Sequence, residues 1–139
     1  NVEPTLVRAF GALEQWDGSQ ALAAVSYNLY QKNDGPRENY IEAFRWDGGT
    51  WTKVGTTLKL GTGSHTDIAA MNPTTLAMTA ETGGQGLRAI RWDGTSFSLY
   101  SLIASISAQW PSVTALTSDT AVHFDNLSNH DLGTYRLVE

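Results

Sequence analysis

The chain has 139 residues, enough for one domain with a core of its own. Hydrophobic residues make up 41% and charged residues 17%, a balance that excludes a disordered chain. The net charge is −5 and no basic stripe is visible, so no nucleic-acid partner is expected.

In chain order, the first apolar run is Thr5–Phe10, followed by a second at Ala12–Trp16. Asp17-Gly18-Ser19-Gln20 has turn chemistry, and Ala21–Tyr30 is a long strand pattern. Gln31–Asn39, "QKNDGPREN", reads as an enlarged hairpin loop. Tyr40–Trp46 and Thr50–Leu60 are two further strands, separated by an Asp47-Gly48 turn. The next unit repeats this order with His65–Met71, a turn at Asn72-Pro73-Thr74, and Thr75–Glu81. A Gly-rich gap over Thr82–Gly86 leads into Leu87–Trp92, the turn Asp93-Gly94-Thr95, and Ser96–Ile103. Shifted forward again by 45 residues, Ala70-Met71 becomes Ala115-Leu116, Leu76-Ala77 becomes Ala121-Val122, and Ile90-Arg91 becomes Tyr135-Arg136. The third unit stops at Glu139, at the end of its third strand. No segment has the 3.6-residue period of a long amphipathic helix.

Units of about 45 residues with four short strands are the size of β-propeller blades. The expected fold is therefore all-β: a propeller with three blades per chain. Residues 1–10 are expected to form a closing strand that completes the last blade. Residues 11–64 are blade 1 with its enlarged hairpin, 65–109 blade 2, and 110–139 blade 3 without a fourth strand of its own. Three blades are too few for a ring, since propellers use about 4–8. A homodimer giving six blades is expected, with a larger assembly or a fragment of a longer protein as alternatives.

Arg45-Trp-Asp-Gly-Gly-Thr-Trp-Thr-Lys-Val-Gly55 and Val113–Asp125 followed by Leu132–Arg136 resemble the degenerate WDG-type propeller repeats of bacterial and phage proteins. The resemblance covers nearly the whole chain and implies the propeller fold, but not one activity. The WDG turns are also similar to those of small oligomeric propeller lectins. Those lectins place a Glu three residues before the turn Trp and an Arg on the preceding strand. Here Glu42 lies four residues before Trp46, and Arg88 and Gly133 fill the corresponding positions of the later repeats. Their sugar site is therefore not carried over.

Asp-Gly between two apolar runs is a hairpin signal, because Gly adopts positive φ at little cost. Trp46, Trp51, Trp92 and Phe97 flank such turns and read mainly as packing between blades. Trp16-Asp17-Gly18 falls at a different point of the repeat and is not a third copy. The loop that breaks the repeat is the more promising place for a ligand. Tyr27, Tyr30, Asn33, Asp34, Arg37 and Tyr40 gather on and around it, with Glu38 among them, and Trp51 is a further candidate. Aromatic faces beside Asn, Asp and Arg suit sugar CH faces and hydroxyls.

The chain has no Cys, which excludes disulfides and thiolate metal ligation. His65, His123 and His130 lack metal-ligand spacing, and no catalytic or dinucleotide motif is present. No enzyme activity, metal or cofactor is expected. No apolar run approaches ~18 residues, so no membrane span is expected. The first residue is Asn1 rather than Met, which reads as a trimmed or mature form. The expected function is a non-catalytic, carbohydrate-binding, lectin-like module, extracellular or virion-associated, with a glycan or surface partner. The alternatives are a structural or attachment protein of a virion or surface appendage, and a fragment of a propeller enzyme.

Overall fold

The computed structural model describes residues 6–14, 21–30, 37–62, 66–80, 86–104, 112–124 and 132–137. Among them are eleven strands in three antiparallel sheets. The first sheet holds β1 (Leu6–Glu14), β2 (Ala21–Tyr30), β3 (Arg37–Trp46) and β4 (Trp51–Thr62) in chain order. The second repeats that meander with β5 (Thr66–Asn72), β6 (Thr75–Ala80), β7 (Leu87–Trp92) and β8 (Phe97–Ala104). The third contains β9 (Ser112–Ala115), β10 (Thr120–Phe124) and β11 (Leu132–Arg136). The three sheets follow the order of the repeat read from the sequence, the last with three strands among the described residues.

The sheets stack face to face in sequence order. Their first strands lie side by side, β1 against β5 and β5 against β9. Two cores result. Between the first and second sheets, Leu13, Leu22, Ala24, Ile41 and Ala43 meet Ile68, Leu76, Met78, Ile90, Trp92 and Phe97. Between the second and third, Ala69, Met71, Ala77, Leu87 and Ala89 meet Val113, Ala121 and Leu137. Each fully buried Leu or Ile contributes about 1.5–3 kcal/mol. β5, β6 and β7 of the middle sheet are covered on both faces, so β5 and β6 read as continuous apolar runs such as Ile68-Ala-Ala-Met71 and Leu76-Ala-Met78. In β2 burial alternates: Leu22, Ala24 and Ser26 are buried, while Ala23, Val25 and Tyr27 are half-buried. That is the period-2 signature of a sheet covered on one face only.

Hydrogen bonds tie neighbouring sheets together. The Val113 amide donates to Asp67 Oδ2 at 2.9 Å, and Asn72 Nδ2 donates to the Ser118 carbonyl at 2.9 Å. Thr56 N–H donates to the Thr95 carbonyl at 3.0 Å, joining β4 to the turn of the second sheet. The adjoining Gly55 has φ +70°, and a Cβ there would lie 1.8 Å from the Thr95 oxygen. Only glycine permits that approach.

The two WDG turns share one construction. Asp47 Oδ1 accepts from the Gly49 and Thr50 amides at 2.9 and 3.0 Å. Asp93 Oδ1 accepts from the Thr95 and Ser96 amides, both at 2.8 Å. Gly48 and Gly94 sit at φ 96° and 97°. The carboxylate closes the turn and the glycine supplies the positive φ. The motif is punctuation, as its position between two apolar runs implied. Trp16-Asp17-Gly18 lies outside the described residues.

Two expectations about boundaries are corrected. Thr5–Phe10 was expected as a closing strand separate from Ala12–Trp16. Instead Leu6–Glu14 is one strand paired with β2, from Leu6 opposite Asn28 to Glu14 opposite Leu22. Gly11 does not break it, because the chain stays extended there and pairs with Ala24. Two register shifts, between Val7 and Ala9 and between Ala12 and Glu14, absorb the irregularity. The third sheet accordingly has three strands among the described residues. The second correction concerns the enlarged loop. Arg37, Glu38 and Asn39 belong to β3, opposite Tyr30, Leu29 and Asn28. The insertion mainly lengthens the β2–β3 hairpin, whose strands have 10 residues each against 6 in β6 and β7.

Candidate functional site

The lengthened part of β2–β3 carries the densest polar cluster among the described residues. Tyr27 and Tyr40 are direct cross-strand partners, and their rings stack with centroids 5.4 Å apart at 21°. Strand alternation places Glu38, Tyr40, Glu42, Phe44 and Trp46 on one face of β3, the face turned away from the second sheet. Glu42 is the centre of the cluster. It accepts from the Tyr27 hydroxyl at 2.8 Å and from Thr57 Oγ1 at 2.8 Å, with Lys53 Nζ at 3.5 Å. Lys53 also donates to Thr57 Oγ1 at 2.7 Å. Nearer the hairpin tip, Glu38 accepts from the Tyr40 hydroxyl at 2.5 Å and pairs with Lys59 at 3.0 Å.

A bulge in β4 makes the Thr57 contact possible. Ala43 pairs with Val54 and Ile41 with Leu58, so three residues of β4 face Glu42 alone. Bulges of this kind re-aim side chains. Here the bulge delivers Thr57 to the carboxylate while Gly55 reaches the neighbouring sheet.

The electrostatics follow from these contacts. Burial works against ionisation of Glu42, but hydrogen bonds from Thr57 and Tyr27 and the Lys53 charge outweigh it and hold the carboxyl below its ordinary value. Burial, then the Glu42 hydrogen bond and charge, push the Tyr27 hydroxyl well above the usual phenol range. The Tyr40 hydrogen bond, then Lys59, lower Glu38, and Glu38 in turn raises Tyr40 and Lys59. The shifts favour ionised Glu38 and Glu42 carboxylates beside protonated Tyr27 and Tyr40 phenols.

The structure brings some of the expected residues together and separates others. Tyr27 and Tyr40 meet. Tyr30 pairs with Arg37 at the outer end of the hairpin. Asn33 and Asp34 lie outside the described residues. Trp51 is remote from the tyrosines: it pairs with Trp46, six residues along β3 from Tyr40, or about 20 Å at strand spacing. Its ring lies 5.5 Å from that of Trp46, and it is 52% exposed. Sequence reasoning missed Glu42, Lys53, Thr57 and Lys59 as members of the cluster. The alternation Glu38-x-Tyr40-x-Glu42 was a signal for the first; the bulge that brings in Thr57 left none. No family model, curated protein or solved structure matches the chain.

Proposed function

We propose that the chain is a non-catalytic carbohydrate-binding module, extracellular or virion-associated, whose three sheets are blades of an oligomeric β-propeller. The single observation that carries the binding role is the stacked Tyr27–Tyr40 pair framed by Glu42, Glu38, Lys53 and Lys59 on the overhanging hairpin. An aromatic face takes the CH face of a sugar ring, and neighbouring carboxylates and ammonium groups take its hydroxyls. The hydrogen bonds already present fix these groups in advance, which lowers the ordering cost of binding. Sheets stacked in chain order with their first strands adjacent support the propeller.

A glycan array tests the binding role. The wild-type chain should retain a defined glycan class, and Tyr40→Ala should weaken retention by about tenfold, the equivalent of one lost aromatic contact. Tyr27→Phe, which keeps the ring and removes the donor to Glu42, should have a smaller effect. An array that retains nothing, or retention indifferent to Tyr40, would overturn the role. A structural protein of a virion or surface appendage is the second reading. Large apolar side chains exposed on the outer faces of the first and third sheets favour it. Electron micrographs separate the two, since extended arrays fit the second and isolated rings the first.

A further inference from the structure

We infer that the outer face of the third sheet and the outer face of the first are the two halves of one junction, closed by a second copy of this chain. The inference deepens the oligomeric propeller proposed above and rests on it. The repeat itself identifies the occupant. In the first internal junction, Leu13 and Ile41 of the first sheet are 3% and 0% exposed beneath the second sheet. Strand pairing and repeat spacing make Met71 and Leu87 their equivalents, and these are 7% and 0% exposed beneath the third sheet. One repeat on, the same two positions are Leu116 and Leu132, now 63% and 71% exposed. Two things differ at these positions among the described residues: no following sheet lies over them, and β11 has no fourth strand beside it as β7 has β8.

The opposite face shows the complementary half. Ile90, Trp92 and Phe97 lie buried against the first sheet. Their equivalents 46 residues earlier are Phe44, Trp46 and Trp51, of which the first two are half-buried and Trp51 is exposed. Trp46 and Trp51 keep the paired-ring arrangement of Trp92 and Phe97, at 5.5 Å against 4.6 Å. One end of the stack therefore presents the Leu116–Leu132 half of a junction and the other end the Phe44–Trp46–Trp51 half. Two identical halves do not meet in any internal junction. A head-to-tail contact between copies restores the internal pairing, and two such contacts close two chains into six sheets.

The test uses the 139-residue chain, wild type and two variants, with mass measured over a concentration series. The wild type should have twice the 15.1 kDa mass of one chain. Leu132→Arg spoils one half of the junction and Trp51→Arg the other, and each should weaken self-association by about thirtyfold or more, as loss of a central contact does. Each variant still carries one intact half, so mixing the two should restore a dimer that neither forms alone. That rescue also shows that both variants fold. A monomeric wild type would overturn the inference, as it would if further repeats of a longer protein filled these faces. Variants that remain dimeric, or folded variants that fail to complement, would overturn it and leave the oligomeric propeller standing. Wild-type glycan retention is read separately, so the binding role and the junction fail independently.

Discussion

The first and second sheets carry the same repeat and meet opposite surroundings. Both have an Asp-Gly turn between their third and fourth strands, closed by the same carboxylate contacts. Both place an aromatic pair across that turn. Yet Trp92 and Phe97 are each 5% exposed and Trp51 is 52% exposed. Burial is thus decided by the neighbouring sheet and not by the residue. A second contrast lies in the polar positions. Glu42 of the first sheet has Arg88 as its repeat equivalent, and the hairpin that bears the tyrosines is longer than its counterpart.

The most severe way to break this comparison is to truncate both tryptophans. Trp92→Ala should destabilise the chain by about 3–5 kcal/mol, the usual cost of removing a buried large aromatic. Trp46→Ala, measured on the monomeric Leu132→Arg background, should cost much less, because no sheet among the described residues covers its face. Urea unfolding followed by fluorescence and circular dichroism measures both. Equal costs would mean that the aromatic pair is stabilised within its own sheet and that the neighbour matters little.

The joint between the two sheets offers the next test. Gly55→Ala forces a Cβ to 1.8 Å from the Thr95 oxygen and keeps an L-residue at φ +70°. The backbone conformation alone costs about 1–2 kcal/mol. The displaced turn adds the loss of the Thr56–Thr95 hydrogen bond, about 1 kcal/mol. Gly49→Ala is the control, since its nearest neighbour is the Asp47 carboxylate at 3.5 Å. Thermal unfolding should show a clear fall in Tm for the first and almost none for the second. Similar values for both would remove Gly55 as the point where the sheets lock.

Much of the fold was legible because the turns are written in local chemistry. Asn72-Pro73, Asp47-Gly48 and Asp93-Gly94 each bend the chain through their own side chain or φ, so the strands that flank these turns followed in order from spacing. The first strand was misjudged for the same reason in reverse. Thr5–Phe10 and Ala12–Trp16 read as two separate runs on either side of Gly11, but pairing with Ala24 holds Gly11 in the sheet, and that partner is distant in sequence. The site was legible in its aromatic part only. Tyr27 and Tyr40 announce themselves by type and by flanking an insertion. Thr57 reaches Glu42 through a bulge that also holds Gly55 against another sheet, and no local pattern encodes either contact.

The smallest expected effect concerns the polar contrast and appears only against pH. Glu42 has a folded carboxyl below its ordinary value of 4.5, through its Thr57, Tyr27 and Lys53 contacts and in spite of burial. A carboxylate shifted in that direction binds protons more readily in the unfolded chain than in the folded one. Its stabilisation is therefore complete above the ordinary value and disappears as pH falls through the lower folded value. Glu42→Gln keeps an acceptor for Tyr27 and Thr57 and removes the charge. The stability difference between wild type and variant should be constant from neutral pH down to about 5 and then narrow steadily through the acid range. Chemical denaturation in buffers across that range measures the difference. A gap between wild type and Glu42→Gln that stays constant in acid would mean that the Glu42 contacts act through shape alone, and the first sheet would lose its claim to a charged, preorganised surface.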